Sequence, residues 1–178
     1  YVAASSRLPI TMAVVNRALT GPININNDHS DSMGARDSGW LQMYAETNQE
    51  AYDNFIQGIL ISEACRLPIM ICQDGFITSH GVSNIELIED EKVREFVGEY
   101  QPENYLLKHE NPLAVGPYGT SPYYMEIKRQ QAQAMKDAMP VIRDVAEKFE
   151  EMTGRSYGFF EEYRMDDAEV ALVVIGSS

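Results

Sequence analysis

The first apolar run of the chain, Leu8-Pro-Ile-Thr-Met-Ala-Val-Val15, is rich in β-branched residues and is closed by Gly21-Pro22. A run of this kind predicts a buried strand leaving a sheet. Two shorter runs, Gln42–Ala45 and Pro68–Gln73, predict strands of the same type. Between them the spacing changes. Tyr52, Phe55, Ile56, Ile59 and Leu60 recur at three and four residues, which predicts a helix from about Asn48 to Cys65 with one buried face. Thr47 or Asn48 is the expected N-cap, and Glu50 places a negative charge in the first turn, where the helix dipole favours it. A strand–helix–strand unit of this length is a crossover between parallel strands.

Further along, Asp90–Val97 predicts a short acidic helix, and Gln101–Pro122 a long irregular stretch. A loop of that length inside a compact domain is usually functional or wrapped on a partner. From Tyr123 to about Thr153 the pattern is helical, with Tyr124, Ile127, Gln131, Met135, Ala138, Ile142, Val145, Phe149 and Met152 forming its stripe. Pro140 is expected to bend or interrupt this helix, and Gly154 to stop it. Tyr1–Ser6 reads as the tail of a helix, and Glu169–Ile175 as a buried strand. The fold expectation is α/β: a parallel, doubly wound sheet. A parallel strand without a partner leaves backbone groups unpaired. The reading therefore expects a piece of a longer subunit, incomplete at its N-terminus, in which residues 1–165 form one domain and residues 166–178 begin a second α/β domain.

Acids outnumber bases 27 to 14, for a net charge of −13. That disfavours nucleic acid and anionic membrane surfaces as partners. No apolar run is long enough for a transmembrane helix. Cys65 and Cys72 sit in apolar stretches and are expected to be buried thiols in a reducing cytoplasm. No Cys-x-x-Cys spacing occurs, so an iron–sulfur cluster is not expected on this chain. His29, His80 and His109 lie in loops, and no metal site is expected from them.

The candidate chemistry centres on Arg17, at the end of the first strand. Ligands of parallel α/β sheets bind at the carboxyl ends of the strands. A guanidinium placed there can hold a carboxylate through two hydrogen bonds. The alternative is a structural arginine paired with a distant acid. Asp74-Gly-Phe-Ile-Thr-Ser-His80 follows another strand directly, so Asp74, Phe76 and His80 form a candidate second edge of the site. Asp28, Ser30 and Asp31 read as loop organisers, because short polar side chains bond nearby backbone amides. Arg36 and Asp37 read as an ion pair or interface contact, and Trp40 as packing.

The stretches Asn16-Arg-Ala-Leu-Thr-Gly-Pro-Ile-Asn-Ile-Asn-Asn-Asp-His-Ser-Asp31, Ala35-Arg-Asp-Ser-Gly-Trp40, Glu46-Thr-Asn-Gln-Glu-Ala51 and Asp74–His80 carry a resemblance. It continues through Asn111-Pro-Leu113, Tyr123-Tyr-Met-Glu126, Gly154-Arg-Ser-Tyr157 and Glu161-Glu-Tyr-Arg164. Together they resemble the thiamine-pyrimidine-binding domain of the pyruvate:ferredoxin oxidoreductase family, in the form where that domain lies on the alpha subunit. The resemblance implies oxidative decarboxylation of pyruvate with coenzyme A, giving acetyl-CoA, CO2 and reduced ferredoxin. It implies thiamine diphosphate with Mg2+ shared with another subunit or domain, and iron–sulfur clusters on other subunits. By the same resemblance Arg17 contacts the substrate carboxylate. Thr20, Ile23 and Ile25 then become candidate pocket walls, with Ile25 against the methyl group of pyruvate. Both isoleucines could equally pin the loop. Oxalate would call for a second cationic or strongly polar contact that these three do not offer. The family's activating glutamate is expected upstream of this chain, and its Gly-Asp-Gly metal segment elsewhere. The chain alone is not expected to be active. A relative acting on 2-oxoglutarate or a branched-chain 2-oxoacid, and a non-catalytic assembly module, are the alternatives.

Overall fold

The computed structural model describes residues 1–116 and 118–178. Three parallel strands, β1 (Thr11–Asn16), β2 (Leu41–Ala45) and β3 (Ile69–Asp74), form one sheet in the order β1-β3-β2. Helix α3 (Asn48–Cys65) makes the crossover from β2 to β3. The register sets Thr11 and Leu41 on either side of Ile69, and it ends with Asn16 beside Asp74. All three strands therefore finish at one edge. The short helices α1 (Val2–Ser5) and α2 (Ser30–Gly34), the acidic helix α4 (Asp90–Val97) and the long helix α5 (Ser121–Thr153) complete the elements, with one 3-10 turn at Arg36–Ser38. No described helix is long and apolar enough to cross a membrane.

One face of the sheet carries the core. Leu41, Ile69 and Ile71 cluster with Ile61 and Cys65 of α3, with Leu67, and with Ala134, Ala138 and Val145 of α5. Fully burying an aliphatic side chain of this size contributes roughly 1.5–3 kcal/mol. Gly58 sets the closeness of the packing, since a Cβ there would press on Ile71 and touch Thr11. On the opposite face α2 covers only part of the sheet. Gln42 and Tyr44 bond Ser32, whereas Met12 stays 41% exposed.

Capping of α3 follows the sequence. Thr47 accepts from the Glu50 amide, and the Glu50 carboxylate accepts in turn from the amide of Glu46. The single apolar stripe expected for α3 needs correction. Asp53, Asn54 and Gln57 are buried together with Ile56 and Ile61, whereas Phe55 is 37% exposed. The helix is sandwiched between the sheet and α5, so most of its circumference is covered, polar positions included. Asp53 is buried because it is paired. Arg155 donates to both its oxygens, at 2.6 and 2.8 Å, and Tyr157 donates at 2.6 Å. These bonds tie the chain beyond α5 to the second turn of α3.

Two further expectations change. Helix α5 runs unbroken through Pro140, held along α3 by Ala138 and Val145 on either side of it. The segment Glu169–Ile175 is not a strand: it pairs with neither sheet edge, and Val170, Leu172 and Val173 stand exposed. A strand is stabilised by a neighbour's ladder, and this segment has none among the described residues. The stretch 101–122 is irregular up to the start of α5, as expected, and Pro117 within it lies outside the described residues.

The buried pair yields the first test. Asp53→Ala or Arg155→Ala should each cost roughly 3–5 kcal/mol in urea unfolding, because each leaves a partner charge without its counterpart. The double variant should cost clearly less than the sum of the two. Strict additivity would contradict the pairing.

Candidate functional site

The carboxyl ends of β1 and β3 lie side by side. Gly75 permits this contact: its amide donates to the Asn16 carbonyl at 2.9 Å, and a Cβ at that position would run into the same oxygen. The added carbon would also lie 3.8 Å from the Cβ of Arg17. The exit of β3 is therefore placed directly against Arg17.

Arg17 is exposed. Its guanidinium donates to the neighbouring Ala18 carbonyl at 3.1 Å, and among the described residues no carboxylate lies within ion-pairing reach of it. Its backbone is fixed instead. The Arg17 amide donates to Asp31 Oδ2 at 3.1 Å, while Asp31 Oδ1 accepts from the Asn16 side chain and from the Ser32 amide, each at 2.7 Å. Asp28 accepts from the Ser30 amide at 2.6 Å, and bonding to Ser30 holds its carboxyl below the usual range. These are the loop-organising roles expected for Asp28, Ser30 and Asp31.

The loop between β1 and α2 is pinched where Ala18 donates to the Asn26 carbonyl at 3.1 Å. Thr20, Ile23 and Ile25 lie inside that pinch and project outward, with Ile23 70% and Ile25 49% exposed. They do not close a pocket within this chain. The candidate second edge divides in two. Asp74 points inward and is 1% exposed, bonded by His29 at 3.1 Å and by the Ser177 amide at 2.6 Å, with the Ser177 hydroxyl on the same oxygen. Burial alone would raise the Asp74 pKa; the bonds from Ser177 and His29 outweigh it and hold the carboxyl below its usual value. Phe76 and His80 stack on each other, with centroids 4.2 Å apart and planes within 5°. Ser79 locks that turn by accepting from the Phe76 amide. An open cavity of about 360 Å³ lies nearby, lined by Asn48, Gln73, Thr78, Ser79, Val82 and Ile85 among others, and Arg17 does not line it.

No cluster of three or more His, Cys, Asp or Glu side chains among the described residues is placed to hold a metal ion. Cys65 and Cys72 are free and buried, and burial pushes both thiols up to about 11. Neither is a nucleophile near neutrality. Arg36 and Asp37 form an exposed ion pair at 3.3 Å.

Residues 1–147 match the family described as Pyruvate flavodoxin/ferredoxin oxidoreductase, thiamine diP-bdg. The chain belongs to this family. It is a thiamine-diphosphate-binding domain on a three-stranded parallel α/β sheet flanked by helices. Among its relatives is the Pyruvate synthase subunit PorA of Thermotoga maritima, 54% identical over 100% of this chain and 46% of the relative. The subunit of the same name from Methanocaldococcus jannaschii is 47% identical over 99% of the chain and 46% of the relative. The Ketoisovalerate oxidoreductase subunit VorA of Pyrococcus abyssi is 39% identical over 98% of the chain and 45% of the relative. The chain spans about half the length of the curated relatives it matches.

Reading the sequence alone missed His29, which it left among scattered loop histidines, and the two amide donors that Asn16 and Arg17 turn on Asp31. Asn16 ends its strand fully buried. A polar side chain at the last position of an apolar run was the available signal.

The Asp74 environment fixes a pH dependence. Its folded pKa is depressed, so it contributes stability that is present above the unfolded value and lost as pH falls through the folded one. Acid unfolding should therefore steepen below about pH 4, the ordinary aspartate range. Asp74→Asn should be less stable at neutrality and flatter across that window. An unchanged acid limb would contradict the assignment.

Proposed function

We propose that this chain supplies one wall of the 2-oxoacid site in a pyruvate:ferredoxin oxidoreductase, with Arg17 as the receptor for the substrate carboxylate. The observation that carries the reading is the guanidinium of Arg17 at the carboxyl end of β1, which among the described residues is bonded only to a main-chain carbonyl. The names of the relatives, two pyruvate synthase subunits among them, support pyruvate as the substrate. The reaction is oxidative decarboxylation with coenzyme A, giving acetyl-CoA, CO2 and reduced ferredoxin.

Thiamine diphosphate supplies the covalent chemistry of carbon–carbon cleavage when bound. The described residues fit a partial wall for it. They offer an exposed cation for the substrate beside an outward-facing apolar loop, and among them no acidic cluster for Mg2+. We assign the diphosphate, Mg2+ and activating glutamate to other domains or subunits, and the iron–sulfur clusters and ferredoxin contact to partners in a cytoplasmic complex. Residues 166–178 are the start of a following α/β domain in this reading. Arg17 binds and orients the carboxylate, its planar fork holding it while the adjacent bond is broken. Ile23 and Ile25 wall the methyl group once a partner surface closes over them, and the 74–80 turn forms the neighbouring edge through Phe76 and His80. The ketoisovalerate relative supports a second reading, a site for a branched-chain 2-oxoacid, in which the same loop faces a larger pocket.

Arg17→Met in the full complex tests the proposal. A charge-assisted contact of this type should be visible as a rise in KM for pyruvate of roughly ten- to a hundredfold, with assembly intact. Dissociation of the subunits would show that Arg17 serves assembly instead. Unchanged kinetics would overturn both roles.

A further inference from the structure

The geometry around β1 assigns a positioning role to Asp31: we propose that its carboxylate sets the location of Arg17 and thereby the affinity for the substrate carboxylate. The inference rests on the reading of Arg17 as that receptor. Asp31 lies in the first turn of α2, fourteen residues after Arg17, yet it accepts from the Arg17 amide at 3.1 Å. Its other oxygen is held by the side-chain amide of Asn16 and by the Ser32 amide. Asn16 is fully buried at the end of β1, and its amide nitrogen also donates to Ser32 Oγ at 3.0 Å. Ser32 is anchored in turn by Tyr44, whose hydroxyl bonds Ser32 Oγ at 2.8 Å, and by Gln42, whose side chain donates to the Ser32 carbonyl at 2.9 Å. Both of these residues stand on β2. A continuous polar chain thus runs from β2 through α2 to the backbone of Arg17.

The choice of donors matters. A carboxylate this close to an arginine could have paired with the guanidinium and neutralised it. Asp31 instead receives three amide N–H groups, which leaves the fork of Arg17 open. A receptor built on the first residue after a strand needs a supporting shell, because a displacement of about 1 Å at such a contact costs on the order of a hundredfold. Asp31 is that shell. It does not touch the substrate.

The test is a double-mutant cycle in the full complex. Asp31→Asn keeps the size of the side chain, but with one oxygen on Asn16 and Ser32 it turns a donor toward the Arg17 amide. The expected result is a rise in KM for pyruvate of about tenfold, with kcat within about threefold and the KM for coenzyme A unchanged. Added to Arg17→Met, it should produce no further rise, since the group it positions is gone. An additive effect, or a wild-type KM in the single variant, overturns the proposal while leaving Arg17 itself untouched. If Arg17→Met alone has no effect, the receptor reading fails instead. Where Asp31→Asn does not assemble, Asp31→Glu keeps the charge and lengthens the arm by one methylene, and it must give the same KM-selective loss. Failure of both variants to assemble makes Asp31 a fold determinant and also overturns the proposal.

Discussion

The carboxylate of Asp31 is bonded by three amide N–H groups and by no guanidinium. The character of the strand edge depends on that arrangement. Amide donors hold a carboxylate through charge-assisted hydrogen bonds, without requiring the nearby cation. The negative charge is accommodated by main chain and by Asn16, so the positive charge one residue further on remains available. An edge whose acid and base had paired would be stable and inert.

The sheet makes this possible through register. Parallel strands deliver their last residues to one rim, and here Asn16 falls beside Asp74. Two polar side chains in adjacent buried positions must each find partners. The Asn16 amide nitrogen donates into α2, and Asp74 accepts from His29 at the start of α2 and from the Gly176-Ser177 turn. Gly176 adopts a left-handed backbone against Asp74, where a Cβ would collide with the carboxylate. Gly75 performs the same service on the other side, letting the exit of β3 close on Asn16. The Asp53–Arg155–Tyr157 network holds the segment after α5 to the first turns of α3.

Much of this was readable from the chain. The start of α3 follows from Thr47 and the change of period, α4 spans the expected Asp90–Val97, and all three strands lie within three residues of where their apolar runs place them. The position of Arg17 just after β1 was legible because the β-branched run ends at Val15. Other features were not. The buried face of α3 contains Asp53, Asn54 and Gln57, which lie outside the expected apolar stripe; the partners of Asp53, Arg155 and Tyr157, come from the chain after α5. Asp74 follows a strand, and its inward turn toward His29 was not readable from that position. The apolar run at 169–175 has strand composition without a strand's neighbour. For Asp53 and Asp74 the deciding contacts are distant in sequence, and local pattern carries no record of them.

The proposed site is one wall: a cation, an apolar loop standing outward, and a hydrogen-bonded polar base. Its chemistry depends on what faces it. The most direct measurement is the structure of the full complex with a 2-oxoacid bound. The account places the substrate carboxylate within hydrogen-bonding distance of both terminal nitrogens of Arg17, with Asp31 still on the Arg17 amide. A carboxylate held by other residues, with the Arg17 side chain bonded to a neighbouring subunit's acid, would contradict it.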